Sequence, residues 1–496
     1  MTPRALSNYP LTVSWLLLAA FLGCLIAVWS DDLVPGFTIF TLVASVAISW
    51  RAGDAPVVPF VLLYQWVAIT VGYWYQGWAG FFPSSYPPGN VELTVVLACG
   101  GLLLLALGIR LGTALLARRQ AAVARPAEVR SASNLRGLFI VVLALYGIDY
   151  VVVLNTWHVA NLNVILEQVL VLRQVLLLVL WLEVLRQRRG AMYVVITLAW
   201  VFVPRLGAYF SEFKSPFILL IIVFAAAWRP WESQWWRRGL VVAFKTSPAI
   251  AAALFLALLW QAGVKKETRE AYDRQLVGSS PSERIDLFLD SAADAWPTLR
   301  DDPSGVVESL VERLSYITFF SRVLDHVPQQ EPHARGELLQ MALLNSAVPR
   351  FLYPEKPVLP SDSHYTRRFA GIMVPDEGTS ISIGYMAEFY ADWGVPGMMA
   401  SVLGYGLWIG FVLGVARRVL LLPSLLQAAL ITIALRVLLF EHQFVKIFAS
   451  LNVTAIVVVG FLVLFRHPLE RFLGVSDPDA EVRLDPVRAP DALPTK

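Results

Sequence analysis

The chain has 496 residues, of which 57% are hydrophobic and only 16% are charged, with 40 Lys and Arg against 37 Asp and Glu. Soluble domains carry about 25% charged residues, so this chain must turn much of its surface towards lipid rather than water. With a mean hydropathy of +0.61, the composition excludes a disordered chain, a coiled coil and a nucleic-acid binder with a large basic face.

The first apolar run follows Arg4 and has the length of a signal peptide. It lacks a small-x-small cleavage site before Asp31, so we expect a retained membrane span. Cys24 and Cys99 each lie inside an apolar stretch, where a thiol behaves as a small hydrophobic group. Two cysteines so placed exclude a disulfide framework and a cysteine-based metal site.

Apolar runs long enough to cross the hydrocarbon core, which takes about 20 residues, recur along the chain. They predict an all-α polytopic membrane protein with about 12 transmembrane helices. The predicted spans are 11–29, 33–50, 56–79, 91–109, 137–155, 164–185, 191–209, 216–228, 240–262, 394–415, 424–440 and 447–465.

Basic residues in the short loops predict the orientation of these spans, because short cytoplasmic loops are enriched in Lys and Arg. With a cytoplasmic N-terminus, nearly all loop arginines fall on the cytoplasmic side, and the opposite short loops carry only Lys214 and Lys446. We therefore expect both termini to be cytoplasmic.

One long segment interrupts the series of spans. The predicted regions are spans one to nine in 1–263, a large extracytoplasmic loop in 264–393, spans ten to twelve in 394–465 and a cytoplasmic tail in 466–496. The loop should be mostly helical, with re-entrant or amphipathic helices.

Within this loop, apolar residues between Ser282 and Leu324 recur at helical spacing and predict two or three amphipathic helices. Pro281 and Pro303 separate these helices, and the proline-rich stretch 348–360 predicts an irregular loop.

Charged residues inside spans are costly and usually functional. Arg173, Arg205 and Arg436 lie deep in their spans or in the outer halves, and they predict a polar cavity. The alternative is that they pair with Asp149 or Glu167 on neighbouring helices.

The loop adds Arg350, Arg367 and Arg368 to the same face. Clustered guanidinium groups suit phosphate or pyrophosphate, because each can bind two oxygens and stays charged. The alternative is that Arg367 and Arg368 are solvated or neutralise acidic neighbours such as Asp362 and Asp376.

The run 378–397 combines small, hydroxyl and acidic residues ahead of span ten. Glu388 and Asp392 are four residues apart, so both carboxylates should share one face of a short helix, which ends at the break Trp393-Gly394-Val395-Pro396. Glu388, partly withdrawn from water, suits a general base towards a sugar hydroxyl. Equally, it suits a residue that caps or braces the helix break.

Three stretches together carry a family resemblance: VPRFLYPEKPVLP at 348–360, SISIG at 380–384 and AEFYADWGVPG at 387–397. They resemble the bacterial oligosaccharide repeat-unit polymerases of the O-antigen polymerase type. Those proteins are similar in outline too, with many spans and a large periplasmic loop late in the chain.

The resemblance implies a GT-C-like glycosyltransferase of the bacterial inner membrane. Such an enzyme transfers a growing glycan from undecaprenyl pyrophosphate to the sugar of a lipid-linked repeat unit. It needs no nucleotide sugar, cofactor or metal. Its partners would be lipid-linked oligosaccharides, membrane lipid, a chain-length regulator and a flippase, and not nucleic acid.

In such an enzyme the arginines would stabilise the departing pyrophosphate, and Glu388, with His364 as substitute, would take the acceptor proton. Two alternatives stay open. An O-antigen ligase has a similar scaffold, and a lipid-linked oligosaccharide transporter would also be polytopic, although no duplicated halves are visible in the sequence.

Overall fold

In the computed structural model, the described residues are 3–51, 54–117, 134–154, 163–202, 215–226, 235–273, 281–347, 359–374, 381–420 and 422–473. This part of the chain is helical and contains no strand. Its first nine helices are α1 (Pro3–Ser30), α2 (Leu33–Ser49), α3 (Val57–Ala79), α4 (Val91–Ala117), α5 (Leu135–Leu154), α6 (Asn163–Gln187), α7 (Ala191–Phe202), α8 (Ser215–Ala226) and α9 (Trp235–Leu259).

A π-helical turn, Trp260–Val264, leads from α9 into the more polar half of the chain. The later helices are α10 (Lys265–Asp273), α11 (Pro281–Asp301), α12 (Pro303–Leu314), α13 (Ile317–His326), α14 (Glu337–Ala347), α15 (Asp362–Ala370), α16 (Tyr385–Val419), α17 (Pro423–Ala434), α18 (Phe444–Leu464) and α19 (Arg466–Phe472). A 3-10 turn, Leu435–Val437, extends α17.

Five helices of the described chain are long and apolar enough to cross a membrane: Val13–Ser30, Val57–Ala79, Val91–Leu116, Tyr385–Val419 and Phe444–Leu464. Shorter apolar helices lie at Leu33–Ser49, Leu135–Ile148, Ala191–Phe202, Ser215–Ala226 and Pro423–Val437. Each predicted span overlaps a helix, but fewer than half of those helices meet the length and composition of a full crossing. The chain is therefore an all-helical membrane protein.

Between α9 and α16, helices α12, α13 and α14 pack against the apolar helices α3, α4, α16 and α18, whereas α11 packs on the π-helical turn and α9. Pro281 and Pro303 begin α11 and α12, and α13 follows, so three helices occupy the stretch where sequence spacing predicts two or three. Gly89, in the connection from α3 to α4, donates its N–H to the hydroxyl of Ser321 on α13 at 3.0 Å. Phe320 of α13 belongs to the same buried apolar cluster as Leu102 of α4, whereas Phe288 of α11 belongs to a second cluster with Trp260.

Helices α4 and α16 pack with their backbones in close contact. An added Cβ at Gly108 or Gly112 of α4 would lie 2.5 Å or 2.1 Å from a carbonyl oxygen of α16. Gly406 and Gly410 of α16 approach carbonyl oxygens of α4 at 2.5 Å and 2.2 Å in the same way. Each helix thus presents a Gly-x-x-x-Gly face to the other, a pattern that allows close packing of membrane helices.

The predicted short helix and its break are both present: α16 begins at Tyr385, carries Glu388 and Asp392, and is kinked at Gly394 (φ 68°), where span ten is predicted to begin. Pro396 has no N–H to donate to the Asp392 carbonyl, and that oxygen instead accepts from the backbone N–H of Arg335 at 2.9 Å. The Ala391 carbonyl likewise accepts from the Ala334 N–H at 2.9 Å. These two N–H groups, from the segment before α14, provide hydrogen bonds for the carbonyl groups at the kink, so the two halves of α16 remain connected there.

The long helix α16 defines two ends of the bundle. Near its start, Glu388 lies in the end that we call the carboxylate end, which Asp362 and Lys446 also form. Near its finish, Arg417 pairs with Asp54 at 2.8 Å in the end that we call the basic end. The candidate site lies at the carboxylate end.

Candidate functional site

The segment 381–384 sets the position of the first turn of α16. The Tyr316 hydroxyl donates to the Ser382 carbonyl and accepts from the Ser382 N–H at 3.1 Å. The Thr366 hydroxyl donates to the Ile381 carbonyl at 2.6 Å. Gly384 has φ 84°, and a Cβ there would lie 2.9 Å from the Phe440 carbonyl oxygen, so glycine is required where α16 enters the bundle.

Glu388, in that first turn, is only 4% exposed. Its Oε2 accepts the backbone N–H of Phe444 at 2.8 Å, at the first residue of α18. A carboxylate at a helix N-terminus accepts a backbone N–H that has no partner within the helix, and it interacts favourably with the helix dipole. Glu388, on α16, therefore caps α18. Its other oxygen, Oε1, has no hydrogen-bond partner among the described residues.

A second unpaired polar group belongs to Gln443, the residue before Phe444. Gln443 is 2% exposed, and its Nε2 donates no hydrogen bond within the described chain. A buried donor and a buried acceptor left unpaired each cost free energy, about 1–3 kcal/mol, so such groups are normally satisfied by water or ligand. Glu388 contacts Phe444, the residue after Gln443. One hydroxyl group can both donate to an unpaired acceptor and accept from an unpaired donor, so these two groups match its hydrogen-bonding capacities.

A salt bridge forms the rim of this site. Asp362, at the start of α15, accepts from Lys446 Nζ at 2.6 Å, and their side chains are 9% and 51% exposed. Both residues, together with Asp392, are close enough to Glu388 to interact with it electrostatically. Burial raises the pKa of Tyr365, on α15, to about 12, and the negative charge of Glu388 contributes. The site therefore carries more carboxylates than cations.

The two arginines of α15 have different partners. Arg367 Nη1 donates to the Val374 carbonyl at 2.9 Å. Arg368 pairs with Glu331 at 2.6 Å and with Glu337 at 2.9 Å, and its hydrogen bond to Glu337 raises the pKa of Arg368. The acids that neutralise Arg368 are thus remote in sequence, and not the nearby Asp362.

His364 lies two residues after Asp362 on α15 and forms no hydrogen bond with Glu388 in the described structure. Its side chain is exposed, and its ring lies 5.8 Å from the ring of Tyr365 in an edge-on arrangement. Its backbone N–H is held by the Ser361 side chain at 3.2 Å, which caps α15.

The remaining candidate arginines are spread along the bundle. Arg173, on α6, lies 4.8 Å above the ring of Tyr146 on α5. The hydroxyl of Ser424, at the start of α17, donates to Glu183 near the end of α6, so α6 and α17 are antiparallel neighbours. At 1.5 Å per residue, Arg173 and Arg436 lie at a similar depth, both about 15–20 Å from that contact.

Two predicted site residues, Arg205 and Arg350, lie outside the described residues. The side chains of Asp149 and Glu167, the predicted alternatives as ion-pair partners, lie outside them too. Within the described chain, no three His, Cys, Asp or Glu side chains come together as a metal site.

Asp392, predicted to share a face with Glu388, is buried beside it on α16. Its Oδ1 and Oδ2 accept the backbone N–H groups of Leu338 at 3.1 Å and Leu339 at 2.8 Å. Asp392 therefore caps α14, and both of its oxygens are occupied. The two carboxylates differ in that only Glu388 keeps an oxygen free to act on a ligand.

Replacing Asp392 by alanine should lower the free energy of unfolding by about 1–2 kcal/mol, since a helix cap is lost and two buried N–H groups lose their acceptor. Thermal unfolding of the purified protein in detergent measures this loss. Asp302→Ala is the matched control, because Asp302 caps α12 through Gly305 at 2.9 Å but is exposed to water. The loss for Asp392→Ala should exceed that for Asp302→Ala, and an unchanged unfolding temperature for Asp392→Ala would contradict the structural role of Asp392.

The fold and the site define a helical membrane protein with a buried, half-paired carboxylate at one end of its bundle. The chain belongs to the family described as a domain of unknown function, DUF8712, whose model matches residues 86–467. No curated protein and no solved structure matches the chain. The matched range contains every candidate site residue, so the site belongs to the family domain.

Proposed function

We propose that the protein is a membrane glycosyltransferase of the repeat-unit polymerase type. It transfers a growing glycan from undecaprenyl pyrophosphate to the sugar of a lipid-linked repeat unit. The observation that carries the proposal is the unpaired, buried Oε1 of Glu388, in a motif that resembles those polymerases. Gln443, whose Nε2 is also unpaired within the described chain, directly precedes Phe444, whose N–H Glu388 Oε2 accepts.

The acceptor sugar hydroxyl would donate its hydrogen to Glu388 Oε1 and accept a hydrogen bond from Gln443 Nε2. Glu388 takes the hydroxyl proton as the oxygen attacks the anomeric carbon of the donor glycan. The bond from that carbon to the pyrophosphate oxygen breaks, and the electron pair leaves with undecaprenyl pyrophosphate. His364 is the substitute base, and its exposed position on α15 would require α15 to move inward.

Arginines would stabilise the charge on the departing pyrophosphate. The assignment of Arg367 as a pyrophosphate ligand is supported by its position on α15, which the Asp362–Lys446 salt bridge holds against α18. Arg436 and Arg173 would contribute from the bundle, with Arg205 and Arg350 as further predicted ligands. Arg368 would have to break its salt bridges with Glu331 and Glu337 to bind phosphate. Its contact with the pyrophosphate would therefore be weaker than that of Arg367.

In this proposal the protein lies in a bacterial inner membrane with 12 spans and both termini in the cytoplasm. The carboxylate end would face the periplasm, where the region 264–393 covers it. Support comes from the basic end, which carries Arg51 and Arg417 and so fits the cytoplasmic preference of basic residues. A chain-length regulator and a flippase would be partners in the same membrane.

Deleting the gene in its source bacterium tests the proposal. We expect loss of the polymer and accumulation of a glycolipid that carries a single repeat unit, measured by mass spectrometry of extracted lipids. Restoring the intact gene should remove the glycolipid. Long glycan chains that are assembled but unattached would reject the polymerase in favour of a ligase, and glycolipid trapped on the cytoplasmic side would favour a transporter.

A further inference from the structure

The basic end of the bundle contains a shallow pocket that the proposed transfer reaction does not use. It lies where α2 ends, α3 begins and α16 approaches its last turn. Trp50, Arg51, Asp54 and Arg417 are among its lining residues. Glu388 lies at the other end of α16, almost thirty residues away along the helix.

The residues that line this pocket include two arginines and one aspartate. Arg417 Nε is 2.8 Å and Arg51 Nε is 3.8 Å from the same oxygen, Oδ2 of Asp54. Among the described residues that line the pocket, Asp54 is the only carboxylate, and one of its oxygens faces both guanidinium groups. Arg110, on α4, adds a third positive charge nearby, since its Nη1 donates to the Ile48 carbonyl at 3.4 Å.

The two lining arginines differ in exposure in a way that suits a ligand. The Arg417 side chain is 10% exposed and forms part of the pocket wall, whereas the Arg51 side chain is 40% exposed at its mouth. A guanidinium fork binds two oxygens of a phosphate at once and keeps its charge at any relevant pH. An anion entering between Arg51 and Arg417 would balance the excess charge that Asp54 leaves.

The surroundings of the pocket are those of a membrane interface. The pocket lies at the ends of three apolar helices, and Trp50 has the amphipathic ring that favours the headgroup region. Leu111 of α4 and Phe411 of α16 expose apolar side chains, at 45% and 39%, about two turns or less from Arg110 and Arg417. Acyl chains can lie along this surface while the headgroup phosphate meets the arginines.

We propose that this pocket binds the phosphate of an anionic phospholipid, with Arg51 and Arg417 as the phosphate ligands. The lipid would join α2, α3 and α16 at their ends and so stabilise the folded protein. Basic pockets between membrane helices bind anionic headgroups through the same physical attraction.

The test uses the full chain, purified in a neutral detergent and titrated with phosphatidylglycerol. We expect the thermal unfolding temperature to rise with phosphatidylglycerol and not with phosphatidylcholine or inorganic phosphate. Arg51→Ala should raise the phosphatidylglycerol concentration at half-maximal effect about fivefold, because one interfacial arginine contributes roughly that factor. Arg110→Ala, which removes the neighbouring charge, should weaken binding in the same direction.

Arg300→Ala is the matched control, because that side chain is 77% exposed on α11 and lies outside the pocket. It should titrate as the unmodified protein does. The proposal is overturned if Arg51→Ala and Arg110→Ala also titrate unchanged, or if phosphatidylcholine stabilises equally. If inorganic phosphate raises the unfolding temperature and phosphatidylglycerol does not, the pocket binds a free anion and the proposal of a lipid ligand is wrong.

Discussion

Replacing Glu388 by glutamine is expected to lower the rate of glycan transfer at least 100-fold, roughly the factor that general base catalysis supplies. Glutamine keeps an oxygen that can accept the Phe444 N–H, so the cap on α18 survives the change. What disappears is the ability to take a proton. The variant should therefore remain folded in the membrane and yet make no polymer.

Two measurements separate the chemical role of Glu388 from its structural role. Purified protein with lipid-linked repeat units in vesicles gives the transfer rate, and thermal unfolding gives the stability. Glu441→Gln is the matched control, because Glu441 is a neighbouring carboxylate whose partner is Arg313 at 3.4 Å. It should retain activity. Full activity of Glu388→Gln would mean that Glu388 only caps α18, and the proposed base would then be wrong.

Glu388→Ala should behave differently from Glu388→Gln. Alanine removes both the base and the acceptor of the Phe444 N–H, which leaves a buried donor unpaired. This variant should lose stability as well as activity. Glu388→Ala alone therefore does not separate the two roles of Glu388, whereas Glu388→Gln removes the base and keeps the cap.

The sequence predicts where helices form in this protein better than it predicts which segments contact one another. Apolar runs indicate where helices form, and Gly394 with Pro396 indicates the break in α16, because these residues act on the local backbone. Burial of Glu388 also follows from its place at the head of an apolar helix. The donors that satisfy the carbonyl groups at this break, the backbone N–H groups of Ala334 and Arg335, have no sequence signal, because they come from a distant segment.

The site residues that sequence reasoning missed depend on contacts between distant segments. Glu388 and Phe444 are 56 residues apart, and Arg368 and Glu331 are 37 apart. No local pattern pairs them. Gln443 gives no sequence signal at all, because a glutamine before an apolar helix is ordinary; only its buried, unpaired amide marks it.

The glycine faces of α4 and α16 are an intermediate case. The spacing Gly108-x-x-x-Gly112 and Gly406-x-x-x-Gly410 is visible in the sequence and indicates helices that can approach closely. The pattern does not identify which helix packs on which. In the structure the two faces meet, and carbonyl oxygens occupy the space that side chains would need.

Gly410→Leu is therefore expected to destabilise the protein by about 3 kcal/mol or more, at the upper end of what overpacking costs. A Cβ at residue 410 would lie 2.2 Å from the Ile109 carbonyl oxygen and 2.8 Å from the Thr113 nitrogen. Backbone atoms cannot move aside as a flexible side chain can, so α4 and α16 must separate along their length. Thermal unfolding in detergent and the fraction of monodisperse protein measure the loss.

Gly404→Leu supplies the control on the same helix, because a Cβ there meets no atom within 4 Å. That substitution should leave stability unchanged or raise it slightly, since leucine has the higher helix propensity. The difference between the two variants then reports the helix contact and not the change of residue type. If Gly410→Leu unfolds at the same temperature as Gly404→Leu, α4 and α16 do not pack through these glycines. The contact between α4 and α16 would then not explain how Glu388, on α16, is positioned in the bundle.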